Sequence, residues 1–175
     1  MQEPRAPSES CVTMTQMVLP GDTNNLGSAF GGTIMAWIDI AAAVAASRHS
    51  RGTAVTASID ALSFHAPVRA GSVVILKASV NAVHNTSMEV GVRVEVEDVR
   101  TGALQHTASA YLTFVAVDER GQPRKVTPLL PQTEAELRRF RAASRRRQLR
   151  LQHREQERRM ALAEKAEAEL PDVPH

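Results

Sequence analysis

The sequence predicts an α+β domain in which an antiparallel sheet wraps around one central helix. Three observations carry that class. A thirteen-residue apolar run, Ile34 to Ala46, is rich in alanine and contains neither Gly nor Pro. After Gly52 the hydrophobic period changes to two and recurs through four segments. The 175 residues, 43% hydrophobic but only 3% aromatic, suffice for one core of Ala, Val, Ile and Leu, and are too few for two ordinary domains.

Taken in order, residues 1–11 read as a polar, flexible N-terminus, and residues 12–132 as the folded body. Val12 to Leu19 is a first strand that stops at Pro20-Gly21, where a loop rich in Gly and Asn begins and runs to Gly31. Thr33–Ser47 is long enough for about four helical turns. It is apolar nearly all round, so it is expected as a buried helix rather than an amphipathic surface one. Ala54 to Phe64 alternates less cleanly, and a bulge near Ala61 would reconcile its two halves. Val74, Leu76, Ala78, Val80 and Ala82 line one face of the next strand. Met88, Val90, Val92, Val94 and Val96 alternate with Glu89, Gly91, Arg93, Glu95 and Glu97 in the strand after it. Leu104, Ala108, Ala110, Leu112, Phe114 and Ala116 complete the set. Turn chemistry at Arg69-Ala70-Gly71, His84-Asn85-Thr86 and Arg100-Thr101-Gly102 separates these strands.

Residues 133–175 form an Arg-rich helical extension. Thr133 and Glu136 have capping-box spacing, a helix start. Leu137 and Phe140 are expected to dock this helix on the body. From Arg141 to Arg159 there are eight arginines against two acids and no sustained heptad, so the remainder is expected to be solvated. The extension carries eleven Lys+Arg against eight Asp+Glu, whereas the rest holds ten against eleven. The net charge of +2 is thus a property of the tail, and does not make the body a nucleic-acid surface. The tail lacks the interleaved aromatics of a nucleic-acid binder and a clean apolar face for a membrane. The longest apolar run is too short to span a bilayer and contains Asp39, no secretory leader is visible, and Cys11 has no partner for an internal disulfide. A cytoplasmic location is expected. The six histidines show no metal-ligand spacing, so no metal is expected.

Asp39 is the most informative residue. It interrupts the apolar helix, where a carboxylate is a poor helix former and costly to bury unless paired. From physics alone, catalysis and a structural hydrogen-bond role stand equal. Phe30-Gly31-Gly32-Thr33 puts two glycines at the start of that helix, where backbone N–H groups lack partners and a substrate carbonyl could approach. No Gly-x-Ser-x-Gly elbow is present.

Asp22-Thr23-Asn24-Asn25-Leu26-Gly27-Ser28-Ala29-Phe30-Gly31-Gly32, followed by Met35-Ala36-Trp37-Ile38-Asp39, resembles the signature of hotdog-fold acyl-CoA thioesterases. Val55 to Ala61 with Phe64-His65, Asn85 to Val90, Thr113 to Asp118 and Pro131 to Glu136 are similar to the brain-type cytosolic acyl-CoA hydrolases, in order over about residues 12 to 140. The resemblance implies hydrolysis of acyl-CoA to free acid and CoA, medium to long chains favoured, with no metal or organic cofactor. It implies Asp39 as general base or nucleophile, Gly32 as the backbone donor to the thioester carbonyl, and Asn24, rather than Asn25, reaching the site from a partner subunit. Gly31, Thr56, Ser87 and Met88 are the candidate substrate contacts, and the charge of Arg69 could meet a CoA phosphate, its plain alternative being a solvated turn residue. A homodimer with interfacial sites, assembling into a trimer of dimers, is the implied quaternary structure. Relatives of the brain type fuse two such domains, whereas this sequence carries the Asn and the Asp on one. Phe30 stands where many relatives have His. The competing reading is a non-catalytic acyl-CoA sensor or assembly module on the same fold.

Overall fold

The computed structural model describes residues 3–168, with side-chain surroundings as far as Leu162. Its main elements are β1 (Val12–Met17), α1 (Gly31–Ser50), β2 (Ala54–Phe64), β3 (Val73–His84), β4 (Ser87–Asp98), β5 (Ala103–Ala116) and α2 (Glu134–Ala168). The strands form one antiparallel sheet in the order β1-β3-β4-β5-β2, which leaves β1 and β2 as its edges. This is the hotdog arrangement, a sheet wrapped around α1.

Two-residue alternation aims the apolar side chains of β3, β4 and β5 at the helix. Val74, Leu76, Val80, Val90, Val94 and Leu112 are completely buried, and they close on Ile34, Ile38, Ala41, Ala42, Ala45 and Ala46 of α1. The alanines keep the helix close to the sheet, and each buried Leu, Ile or Val contributes about 1.5–3 kcal/mol by leaving water. β1 ends two residues earlier than Leu19, because Pro20 opens a 3-10 turn through Asp22.

Four differences from the sequence reading bear on function. First, α1 is longer than Thr33–Ser47. It takes both glycines into its first turn and ends at Arg51, which adopts the left-handed conformation (φ 52°) and donates its N–H to the Ser47 carbonyl. Second, α1 is not buried all round. Met35, Ile40 and Val44 are 40%, 52% and 38% exposed, so one apolar face looks outward. Third, residues 5–10 are not a loose lead-in. Arg5 forms an isolated parallel bridge with Leu129, through Arg5 N–H to the Pro128 carbonyl at 3.0 Å and Leu130 N–H to the Arg5 carbonyl at 2.8 Å, and Ala6, Pro7 and Ser10 are buried.

The fourth concerns α2. The capping box forms as expected: Glu136 N–H donates to Thr133 Oγ1 at 3.2 Å, and Thr133 N–H to Glu136 Oε2 at 3.0 Å. Docking then continues well past Phe140 along the outer face of the sheet, while Leu137 is 39% exposed. Ala143 is buried, and Arg146 grips Glu89 through two nitrogens at 2.6 and 3.2 Å with its guanidinium 3.6 Å above the Tyr111 ring. One turn on, Arg150 bonds Asp60. These arginines were expected to be solvated. They dock because β4, β5 and β2 present acidic and aromatic side chains to them on the face opposite α1.

Candidate active site

Asp39 lies in the third turn of α1, half-buried among apolar neighbours. Its Oδ1 accepts a hydrogen bond from Thr56 Oγ1 of β2 at 2.7 Å, while Oδ2 has no partner among the described residues. The carboxylate is therefore oriented by one oxygen and open at the other. Thr56 is positioned by its pairing with Phe114 on β5, just before an irregularity in β2. The register slips there twice, at Ala57 and at Asp60, so the bulge expected near Ala61 is present as a pair.

The N-terminus of α1 is uncapped. Thr33 and Ile34 both donate to the Phe30 carbonyl, at 2.9 and 3.2 Å, and Phe30 supplies no side-chain cap. The N–H groups of Gly31 and Gly32 find no acceptor among the described residues, so two donors stand free at the positive end of the helix dipole. Gly32 is crowded from outside by the Phe30 ring, whose Cε1 would lie 2.9 Å from an added Cβ. That leaves the backbone as the only functional surface of this residue.

The loop before α1 is tightly organised. Asn24 Oδ1 accepts from the N–H groups of Leu26 (2.9 Å) and Ser28 (3.3 Å), and Asn24 N–H donates to the Ser28 carbonyl at 2.8 Å. The Asn24 oxygen is thus committed to an Asx turn, and its amide nitrogen bonds nothing among the described residues. Asn24, Gly31, Ile34, Phe64 and His65 border a cleft of about 440 Å³. Asp39 does not line it. Helix rise also sets Asp39 roughly 10 Å along the axis from Gly32 of its own chain, too far for one carbonyl carbon to meet both. The structure therefore brings Thr56 to Asp39, gathers Asn24 with Gly31, and leaves the two groups apart within one chain.

The remaining candidates divide. Arg69 is exposed, bridged through its backbone to Ser28, and its guanidinium has no ion pair among the described residues. Ser87 opens β4 half-buried, paired with His84 and Val115. Burial first, then the nearby Arg147, lowers the pKa of His84. Met88 is a correction: its side chain is completely buried on the inner face of β4 opposite Phe114, where alternation must put it, and cannot touch a ligand. Asp60 received no role from the sequence, although Ser58 two residues earlier on the same strand is a visible partner; the two meet at 2.7 Å. Among the described residues no three His, Cys, Asp or Glu side chains gather closely enough to hold a metal ion, and no helix is long and apolar enough to cross a membrane.

The thioesterase superfamily profile matches residues 26–103. A Bacillus subtilis protein named uncharacterized acyl-CoA thioester hydrolase YkhA is 42% identical over 135 residues, 77% of this chain and 78% of that one. An acyl-CoA hydrolase from Staphylococcus aureus, solved with butyryl coenzyme A and coenzyme A, superposes with a TM-score of 0.84 at 34% identity, covering 91% of this chain and 97% of its own. The same hydrolase has been solved with an aspartate, an asparagine and a threonine singly replaced by alanine. A hexameric acyl-CoA thioesterase gives a TM-score of 0.84 at 39% identity, covering 87% of this chain and 97% of that one.

Proposed function

Because this chain belongs to the acyl-CoA thioester hydrolases of the thioesterase superfamily, we propose that it converts fatty acyl-CoA, medium to long chains favoured, into free acid and CoA with Asp39 as the reacting carboxylate. The observation that carries the assignment is the Thr56–Asp39 hydrogen bond, which aims a half-buried carboxylate and leaves one oxygen open. The Staphylococcus aureus positions replaced by alanine support it. Their separations, fifteen residues from Asn to Asp and seventeen from Asp to Thr, equal those among Asn24, Asp39 and Thr56.

The chemistry asks little of the protein. A thiolate is a fair leaving group, so one base and one oxyanion donor suffice, without metal or organic cofactor. Asp39 takes a proton from water as the water oxygen bonds the carbonyl carbon. The Gly32 N–H, helped by the helix dipole, receives the developing oxyanion. Collapse expels the thiolate of CoA, which recovers the proton. In the nucleophilic variant Asp39 itself bonds the carbonyl carbon, and water then cleaves the mixed anhydride. A single turnover in ¹⁸O-water separates them. If Asp39 is the base, the first fatty acid released carries ¹⁸O; if Asp39 is the nucleophile and water cleaves the anhydride at the Asp39 carboxyl carbon, that acid carries only ¹⁶O and the ¹⁸O stays on Asp39.

The site is assembled from two copies. One chain cannot bring Asp39 to its own Gly32, and the surface around Asp39 is what a second copy would cover. Met35, Ile40 and Val44 of α1 are exposed, as is Ile59 on the inner face of β2, whose outer edge has unpaired backbone groups. Two antiparallel copies would set the Asp39 and Thr56 of one chain against the Gly32 and Asn24 of the other, giving two equivalent sites. A trimer of such dimers is the proposed assembly, in keeping with the hexameric neighbour. Arg69, beside the Asn24 loop, is placed to meet a CoA phosphate. Thiol release from a panel of acyl-CoAs tests the function and the chain-length preference together.

A further inference from the structure

On the face of the sheet opposite α1, a second polar cluster surrounds Asp60. Its Oδ1 accepts from Ser58 Oγ at 2.7 Å, and its Oδ2 accepts from Thr113 Oγ1 at 2.9 Å and from the Arg150 guanidinium of α2. The Asp60 side chain is only 5% exposed and that of Arg150 25%. Arg150 also approaches Glu89 at 3.8 Å, beside the Arg146–Glu89 pair, so α2 is fastened to β4 and β2 together.

The location gives the cluster its meaning. Asp60 is itself a bulge residue, without a register partner on β5, and the other bulge falls at Ala57. Thr56 pairs with Phe114 on the inner face, whereas Ser58 pairs with Thr113 on the outer face. A regular strand would put positions 56 and 58 on the same side. The double bulge is what turns Thr56 toward Asp39 while turning Ser58 and Asp60 away from it. A bulge is a shift of register that could relax along β2, whose only ladder within the chain is to β5. Three donors on the Asp60 carboxylate, from β2, β5 and α2, pin it.

We infer that the Arg150–Asp60 contact is a positioning device for the reaction: α2, on the outer face, locks the β2 bulge and thereby holds the Thr56 hydroxyl on Asp39. Arg150 touches no substrate. It acts through Asp60, then the bulge, then Thr56. The inference rests on the proposed role of Asp39 and Thr56, and gives the Arg-rich extension a part in turnover.

A double-mutant cycle in the full chain tests it, with Arg150→Met, Thr56→Val and their combination assayed for kcat and KM beside Asp39→Asn and a surface control, Arg154→Met. Thr56→Val should lower kcat roughly 10- to 100-fold, as for a lost hydrogen bond to a charged group. Arg150→Met should lower kcat about tenfold with KM changed less than about twofold, and should add nothing further in the Thr56→Val background. Arg154→Met should match wild type. If Arg150→Met folds poorly, the cycle is built with Arg150→Lys, which keeps the charge but not the fork, and the same non-additivity is expected on a smaller drop. Losses that multiply in the double variant, or an unchanged kcat in the Arg150 variant, overturn the inference. So does an unchanged kcat in Thr56→Val. Each of these leaves the reading of Asp39 standing, since that reading is decided separately, by wild-type thiol release and by the rate of Asp39→Asn.

Discussion

The two faces of the sheet carry opposite kinds of surface. On the inner side, the outward flank of α1 and the edge of β2 are apolar and exposed: Met35, Ile40 and Val44 lie on the helix that carries Asp39, a carboxylate with one open oxygen, and Ile59 lies on the inner face of β2. On the outer side, α2 covers a set of charges that are nearly all paired, with Glu89 2% exposed beneath Arg146 and Asp60 beneath Arg150. The first surface is incomplete in one chain and the second is complete. Apolar area can be exchanged between partners at little cost, whereas buried charges must find their partners within reach at once. The chain thus pairs its polar network within itself and leaves the apolar face exposed, the face through which the proposed assembly would form.

Breaking each face should fail in its own way. Ile40→Arg, on the exposed flank of α1, should leave the monomer folded but split the dimer and reduce turnover at least roughly 100-fold through loss of the opposing groups. Light scattering beside thiol release reads both; an active monomer would contradict the two-copy site. Arg146→Met leaves Glu89 buried without its bidentate partner and should cost about 3 kcal/mol in urea unfolding, with the assembly state unchanged. Gly32→Ala separates stability from chemistry. The Phe30 ring is 60% exposed and can swing away from the new methyl, and alanine favours the helix, so stability should hold or rise by up to about 1 kcal/mol. The methyl crowds the carbonyl approach, and kcat should fall roughly tenfold.

Acid should produce the smallest effects, and at two separate places. Burial, outweighing the hydrogen bond to the Thr127 carbonyl, lowers the pKa of His49 at the end of α1, so the unfolded chain binds a proton more readily than the folded one. That contribution is present above the ordinary value of 6.5 and is lost as pH falls below it toward the folded pKa. The pKa of Glu136 is lowered by the N–H of Gln132 first, then by the N–H and the hydroxyl of Thr133, against burial. Its contribution is present above 4.5 and is lost as pH falls through the folded pKa. Hydrogen exchange should therefore show the end of α1 loosening below about pH 6.5, and the start of α2 loosening only below about pH 4.5. Glu136→Gln should remove the second step and cost about 1 kcal/mol.

What could be read from the sequence follows from which contacts are local. The alternation of Val74 to Ala82 and of Met88 to Val94, and the Thr133–Glu136 box, depend on neighbours a few residues away, and each is realised. The exposed flank of α1 could not be read, because the exposed Ile40 and the core-facing Ile38 are the same residue type. The docking of α2 was hidden for another reason. Arg146 and Arg150 resemble solvated arginines until Glu89 and Asp60, 57 and 90 residues away, fold beneath them. Met88 was misplaced although its own period-two pattern puts it inward. Asp39 was visible because a carboxylate in an apolar helix violates a local rule, while its bond to Thr56 needed the bulge in β2.

The most direct test compares thiol release by wild type and Asp39→Asn across short to long acyl-CoAs, with folding and assembly state checked in parallel. The account predicts turnover by wild type, strongest on medium to long chains, and a loss of at least about a hundredfold in a folded Asp39→Asn, the range expected for a missing general base. A wild type that binds acyl-CoA but releases no thiol, or an Asp39→Asn that keeps its rate, would contradict it; the first result would make the protein a sensor on a hydrolase scaffold, and the second would reduce Asp39 to a partner for Thr56.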